Sequence, residues 1–220
     1  MKKFELDTKI IHCKQCPRLS SYISQVAKNK VKRFREQKYW GKPVPGFGDT
    51  KAKLLIIGLA LATHGGNRTG RMFTGDSSGG WLARVLYENG FATKPTSDKR
   101  NDGFELKKAY VTASVRCAPP QNKPTKEELK NCSSYLEEEL SILKNVKCIV
   151  CLGKIAFDSC CKILCMKEKR FYHSNSFTHE KWVIICSYHP SRQNAQTGRL
   201  RWSQWNSIFK KVKKTIEAKI

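Results

Sequence analysis

The side chains most able to do chemistry here are thiols, in two kinds of setting. Cys13 and Cys16 form a C-x2-C near the N-terminus, and Cys117 and Cys132 follow in the second half, separated by fourteen residues. Four thiolates drawn from two distant places can close a tetrahedral metal site or hold an iron-sulfur cluster. A second C-x2-C, Cys148 and Cys151, lies within an apolar run that reads as a buried strand, where a thiol behaves as a small hydrophobe; Cys186 reads the same way. Cys160, Cys161 and Cys165 fall on a helical pattern and read as packing. With ten cysteines and no apolar signal core in Met1–Asp7, the expectation is a cytoplasmic chain with reduced thiols.

The other chemistry-bearing residues cluster where regular elements end. Four β-branched apolar runs, at 53–59, 109–115, 146–152 and 181–187, predict strands. Helical patterns alternate with them: Trp81, Leu82, Val85 and Leu86 closed by Gly90; Leu129, Cys132, Leu136, Leu140 and Leu143 behind a capping box of Thr125 and Glu128; and Trp205, Phe209, Val212 and Ile216 near the C-terminus. Alternation of this kind predicts an α/β fold with a central four-stranded parallel sheet flanked by helices, and ligands bind such sheets at the strands' carboxyl ends. That rule selects the segments from Ala60, Arg116 and Gly153 onward, and Tyr188-His189-Pro190-Ser191. Residues 1–50 read as an arm wrapping the sheet, because Pro43, Pro45, Gly46 and Gly48 interrupt regular structure.

Charge narrows the partner. Lys and Arg number 42 against 18 Asp and Glu, a formal net charge of +24, which attracts polyanions, nucleic acid foremost. The competing reading is a solvated basic surface. No apolar run approaches the ~18 residues of a membrane span, so no membrane partner is expected. The glycine-rich stretch from Gly58 to Asp76 lets backbone approach a ligand, yet it matches neither a P-loop nor G-x-G-x-x-G, which weakens a nucleotide-binding reading.

Four segments together resemble the iron-sulfur uracil-DNA glycosylases, specifically the family five (type B) branch. They are Tyr39-Trp40-Gly41-Lys42-Pro43-Val44-Pro45-Gly46-Phe47-Gly48-Asp49; Gly58 to Asp76; Val115-Arg116-Cys117-Ala118-Pro119-Pro120-Gln121-Asn122-Lys123-Pro124; and Ser187-Tyr188-His189-Pro190-Ser191-Arg192-Gln193-Asn194. The resemblance implies a three-layer sandwich forming one domain over 1–220, with an N-terminal arm (1–50) tied by a 4Fe-4S cluster on Cys13, Cys16, Cys117 and Cys132. It implies a monomeric, prokaryotic, nucleoid-associated enzyme acting on double-stranded and single-stranded DNA that contains uracil or other deaminated bases.

An enzyme acting on a base must flip it into a pocket that stacks and reads it. The resemblance makes Phe73 the stacking platform and His189 the catalytic hydrogen-bond donor to uracil O2. Asp76 would orient water or stabilise the cationic sugar, although it equally suits a helix N-cap before Ser77-Ser78. Asn122, Gly58, Ala60 and His64, with Asn67, would border the base, and Arg192, Gln193, Asn194, Arg68 and Arg71 would contact DNA; for Arg192, Gln193 and Asn194, with Arg199 and Arg201, a solvated basic turn is the competing reading. No lysine is positioned as an imine-forming nucleophile, so base release should leave an abasic site. This chain departs from the family pattern at Leu61 and Thr63, and Ala113 and Ser114 stand where a sister family reads uracil with Asn, implying a permissive pocket that accepts hypoxanthine. A non-catalytic nucleic-acid-binding module held by zinc or a cluster is the alternative; it leaves His189 and the glycine-rich segment unused.

Overall fold

A computed structural model describes residues 2–167 and 169–218. In chain order the elements are α1 (Lys3–Ile11), α2 (Pro17–Lys28), β1 (Phe47–Gly48), β2 (Leu54–Gly58), α3 (Gly66–Thr69), α4 (Ser77–Glu88), β3 (Ala109–Ala113), α5 (Lys126–Ile142), β4 (Cys148–Leu152), α6 (Lys154–Ile163), β5 (Ser176–His179), β6 (Trp182–Ser187), α7 (Arg192–Gln196) and α8 (Trp202–Glu217). All four expected strands form and pair in parallel, in the spatial order β3-β2-β4-β6.

The sheet is wider than expected. Antiparallel β1 and β5 extend its two edges to six strands. β1 is only two residues long, and Ser-Phe-Thr-His in β5 is a polar, half-exposed edge, so neither contains the apolar run that marks a buried strand.

Strands buried along their whole length, as β2, β3 and β4 are, send alternate side chains into separate cores. Leu54, Ile56, Cys148 and Val150 face the core shared with α1, α2, α4 and α8, whereas Leu55, Ile57, Ile149 and Cys151 face the one capped by α6. Cys148, Cys151 and Cys186 are fully buried among these apolar groups, and burial holds their thiols protonated. The N-terminal arm is partly helical. α1 lies along α5, with Lys9 Nζ 2.6 Å from Glu138 Oε1, and Arg18 of α2 grips both oxygens of Glu128 at 2.7 and 2.8 Å. No helix among the described residues is long and apolar enough to cross a membrane.

A buried ion pair joins the end of β3 to α5, and the arm reaches it through the Gly46 amide. Arg116 and Glu139 each have side chains only 1 % exposed, with Arg116 Nη2 2.7 Å from Glu139 Oε2. Thr112 donates to the same oxygen at 2.6 Å and accepts from Arg116. The other carboxylate oxygen accepts from Tyr110 and from the Gly46 amide, both at 3.3 Å. A side chain at Gly46 would place its Cβ 2.6 Å from that carboxylate. Removing one partner leaves an uncompensated charge in the core, so Glu139→Ala should lower stability by about 3–5 kcal/mol in urea unfolding. A loss below about 1 kcal/mol, the scale of an exposed pair, would contradict this role for the network.

Candidate active site

The connection from β2 to β3 runs to one side and that from β4 to β6 to the other, so the order of winding reverses between the parallel strands β2 and β4. In open α/β sheets a crevice forms outside the carboxyl ends at such a point. A cavity of about 470 Å³ opens there. Its walls come from all the segments that the strand-end rule selects: Leu59 to Ala62 after β2, Asn122 after β3, Leu152 to Ala156 across the β4–α6 junction, and His189 and Ser191 after β6, with Phe73, Asp76 and Ser78 closing the side.

Phe73 adopts a left-handed backbone conformation (φ 48°), and its ring lies over the end of β2. Gly58 makes that possible: a Cβ there would sit 2.6 Å from Phe73 Cζ. Gly58 thus packs behind the Phe73 ring and does not line the cavity, whereas Ala60 does line it. The Phe73 and His189 ring centroids are 6.1 Å apart and inclined by 35°.

His189 projects from the loop after β6. The main chain of this loop is fixed: Asn194 Nδ2 donates to His189 O at 2.9 Å, and Ser191 caps α7 by accepting from Asn194 N at 3.2 Å. Asn194 therefore faces inward and braces the loop, while Arg192 and Gln193 are exposed. Burial pushes the His189 imidazolium down to about 4, so the ring is neutral at pH 7 and can donate one N–H without carrying charge.

Asp76 serves as the N-cap its position suggests, accepting from Gly79 N at 2.9 Å, and it also lines the cavity. Its carboxylate packs against Gly65, where a Cβ would overlap it. Burial raises its pKa against the pull of the α4 amides. Asn122 follows Gln121, both with positive φ (58° and 54°), and stands exposed at the mouth. Ser114 Oγ donates to Gly58 O at 3.2 Å, and Ala113 is buried, so neither presents a free polar group.

Several expected site residues lie elsewhere. His64 turns away from the cavity, with Nδ1 3.0 Å from Tyr39 Oη, and Asn67 is fully buried with its amide toward Ile23 O. Arg68 is spent internally on His64 O, Gln37 and Gly75 O at 2.7, 2.6 and 3.0 Å, with its guanidinium over the Phe34 ring. Arg71 pairs with Asp102 at 2.9 Å and bonds Thr74, Ser97 and the Arg100 carbonyl. Both are buried because the glycine-rich loop has polar groups and open turns to satisfy, which contradicts the expected grip of Arg68 and Arg71 on DNA. Conversely, the pattern of residues did not mark Ile155, an exposed apolar side chain on the cavity rim. Its helical spacing gave no signal separating it from the core positions of α6.

The four scattered cysteines converge. Burial raises Cys117 far above the usual thiol range and pushes Cys132 up to about 11, and in each case the thiols of Cys13 and Cys16 add to the effect, which puts all four within electrostatic reach of one another. Asn131 Nδ2 donates to Cys16 Sγ at 3.6 Å, and the Arg116 amide donates to Cys132. Cys117 lies beyond the end of β3, in the loop that follows. Among the described residues, no group of three or more such side chains meets at the spacing of a single metal ion.

Comparisons with known proteins agree with this geometry. Residues 45–213 match the family model described as the uracil DNA glycosylase superfamily. The chain is 45% identical over 192 residues to a type-5 uracil-DNA glycosylase of Pyrobaculum aerophilum, covering 87% of this chain and 84% of the relative. It is 42% identical over 209 residues to a type-5 uracil-DNA glycosylase of Thermus thermophilus (92% and 93%), and 30% identical over 178 residues to a type-4 uracil-DNA glycosylase of Archaeoglobus fulgidus (77% and 79%).

An NMR titration of the His189 ring should give a midpoint near 4. Because the unfolded ring titrates near 6.5, the unfolded chain binds the extra proton between these values, and His189 makes the fold lose stability as pH falls from 6.5 toward 4. A midpoint near 6.5 would mean that water reaches the ring freely.

Proposed function

The chain belongs to the type-5 branch of the uracil DNA glycosylase superfamily, and on that premise we propose how its own residues release uracil from DNA. The observation that carries the reading is the convergence of Phe73 and a neutral His189 on one cavity at the sheet's topological switch point.

The flipped base stacks on Phe73. As the C1′–N1 bond breaks, its electron pair moves to the base and charge gathers at O2, where the His189 N–H donates. A donor already held in place and shielded from water stabilises that charge without reorganisation. Neutrality of the ring favours this role, because a cationic imidazole would require burying a charge before the transition state supplies its partner. Water then adds to C1′ and loses a proton, leaving the abasic site. Asp76 is the one carboxylate lining the cavity among the described residues, and we assign it to that water and to the cationic sugar while it caps α4. No lysine is needed as a nucleophile.

Ala113 and Ser114 are buried behind the cavity and do not line it, so that position offers no amide to read a pyrimidine edge. This supports acceptance of other deaminated bases, hypoxanthine included. Exposed Arg192 and Gln193 beside the mouth suit phosphate contacts on double-stranded or single-stranded DNA, and Asn194 contributes by bracing the loop. The enzyme works as a monomeric single domain in the cytoplasm, at the nucleoid.

Cys13, Cys16, Cys117 and Cys132 suit a 4Fe-4S cluster: all four donors are soft sulfurs, they come from the α1–α2 link, the loop after β3 and helix α5, and amides of Asn131 and Arg116 approach two of them. When bound, the cluster supplies a covalent brace between arm and sheet. Among the chain's residues, Arg116 joins that brace to the buried network.

His189→Ala should slow single-turnover uracil release from a U:G duplex by more than ~100-fold while binding to abasic DNA persists; an unchanged rate would remove His189 from the mechanism. Cys117→Ser should lose iron and visible absorbance together, and a full iron content in that variant would refute the ligand set.

A further inference from the structure

The loop bearing His189 has a second support that the chemistry above does not use. Between α6 and β5 the chain turns back on β6: Ser174, at φ 68°, donates its amide to Cys186 O at 2.9 Å, and Cys186 N donates to Asn175 O at 2.8 Å. This fixes His173 against Tyr188, the residue immediately before His189. The two rings are parallel, 4.8 Å apart and inclined by 7°. The Tyr188 main-chain N–H donates to His173 Nδ1 at 3.1 Å.

We infer that His173 is a positioning residue for His189, acting as the acceptor that fixes the Tyr188 amide and with it the direction in which the catalytic loop leaves β6. The inference rests on the reading of His189 as the donor.

Three observations support it. Tyr188 is held at every polar main-chain group, because its carbonyl also accepts from Ser187 Oγ at 2.8 Å. Its ring is fixed from several sides, by His173, by Phe171 at 6.1 Å and by the Arg199 guanidinium at 4.5 Å. Finally, the arrangement dictates one form of His173. Nδ1 must offer its lone pair, so the proton resides on Nε2, and that nitrogen is buried without a partner among the described residues. A buried polar atom left unsatisfied costs free energy, and a fold tolerates it where the rest of the group is needed. A charged His173 would set N–H against N–H at the Tyr188 amide, and burial also disfavours that charge.

Replacement by side chains with different acceptors tests this. Asn offers an oxygen near the place of Nδ1, Gln offers one near Nε2, and Phe keeps the stacked ring but has no acceptor. In single-turnover release of uracil from the holoenzyme, His173→Phe and His173→Gln should lower the rate about tenfold, the factor expected for one hydrogen bond. Affinity for abasic DNA should stay within about twofold, and His173→Asn should remain within about threefold of the wild-type rate. A wild-type rate for the Phe variant, or an Asn variant as slow as the Gln variant, would overturn the inference. If the Phe variant does not fold, the Asn and Gln pair decides: equal rates exclude a role for the acceptor. His189→Ala in the same series keeps the two questions apart. An unimpaired His189→Ala would defeat the reading of His189, whereas its loss with unimpaired His173 variants would defeat only the positioning role.

Discussion

The pairing of Arg116 with Glu139 is the interaction on which the arrangement of this protein depends. Two charges removed from water gain only as far as their remaining polar groups are satisfied: Thr112, Tyr110 and the Gly46 amide complete the set around the carboxylate, while Arg116 Nε is left without a partner among the described residues. Those partners come from β3 and the arm and the carboxylate from α5, so the network forms only when all three are in register. It acts as a check on assembly. It also sets the geometry on either side: Arg116 precedes Cys117, its carbonyl accepts from Val44 N at 2.9 Å, and the chain from Cys117 continues to Asn122 at the mouth of the cavity. One buried pair thus couples the converging cysteines to the wall of the site.

At the opposite wall the constraint is steric. Phe73 can present its ring only because Gly58 has no side chain beneath it, and the main chain of Phe73 packs against Gly79, where a Cβ would overlap its carbonyl. The glycines of this segment serve close packing, Gly58 against Phe73, Gly65 against Asp76 and Gly70 against Trp40. Arg68 and Arg71, which look like phosphate contacts in a basic chain, satisfy the carbonyls and hydroxyls that such an open loop exposes. Net charge describes the field around the molecule but not the duty of any one arginine.

Much of this was legible in the sequence. The four parallel strands, the capping box at Thr125, the core cysteines of β4 and β6, and the strand-end segments were readable, because periodicity and position report burial directly. The edge strands β1 and β5 were not, since an edge strand needs no apolar run. The residues of the cavity were readable where a motif ended a strand, as at His189, and misread where a loop folds back on itself, as at His64 and Asn67. The ion pair and the His173 support were invisible for one reason: each joins residues far apart in the chain, through hydrogen bonds that leave no periodic trace.

The central claim is that a base held on Phe73 meets a neutral donor at His189, within a site braced from outside. A crystal structure of the holoenzyme with a duplex carrying an abasic-site analogue and free uracil measures this most directly. The uracil ring should lie parallel to Phe73, with an imidazole nitrogen of His189 within about 3.2 Å of O2. Uracil bound away from Phe73, or a His189 ring turned from the base toward protein or phosphate, would contradict it.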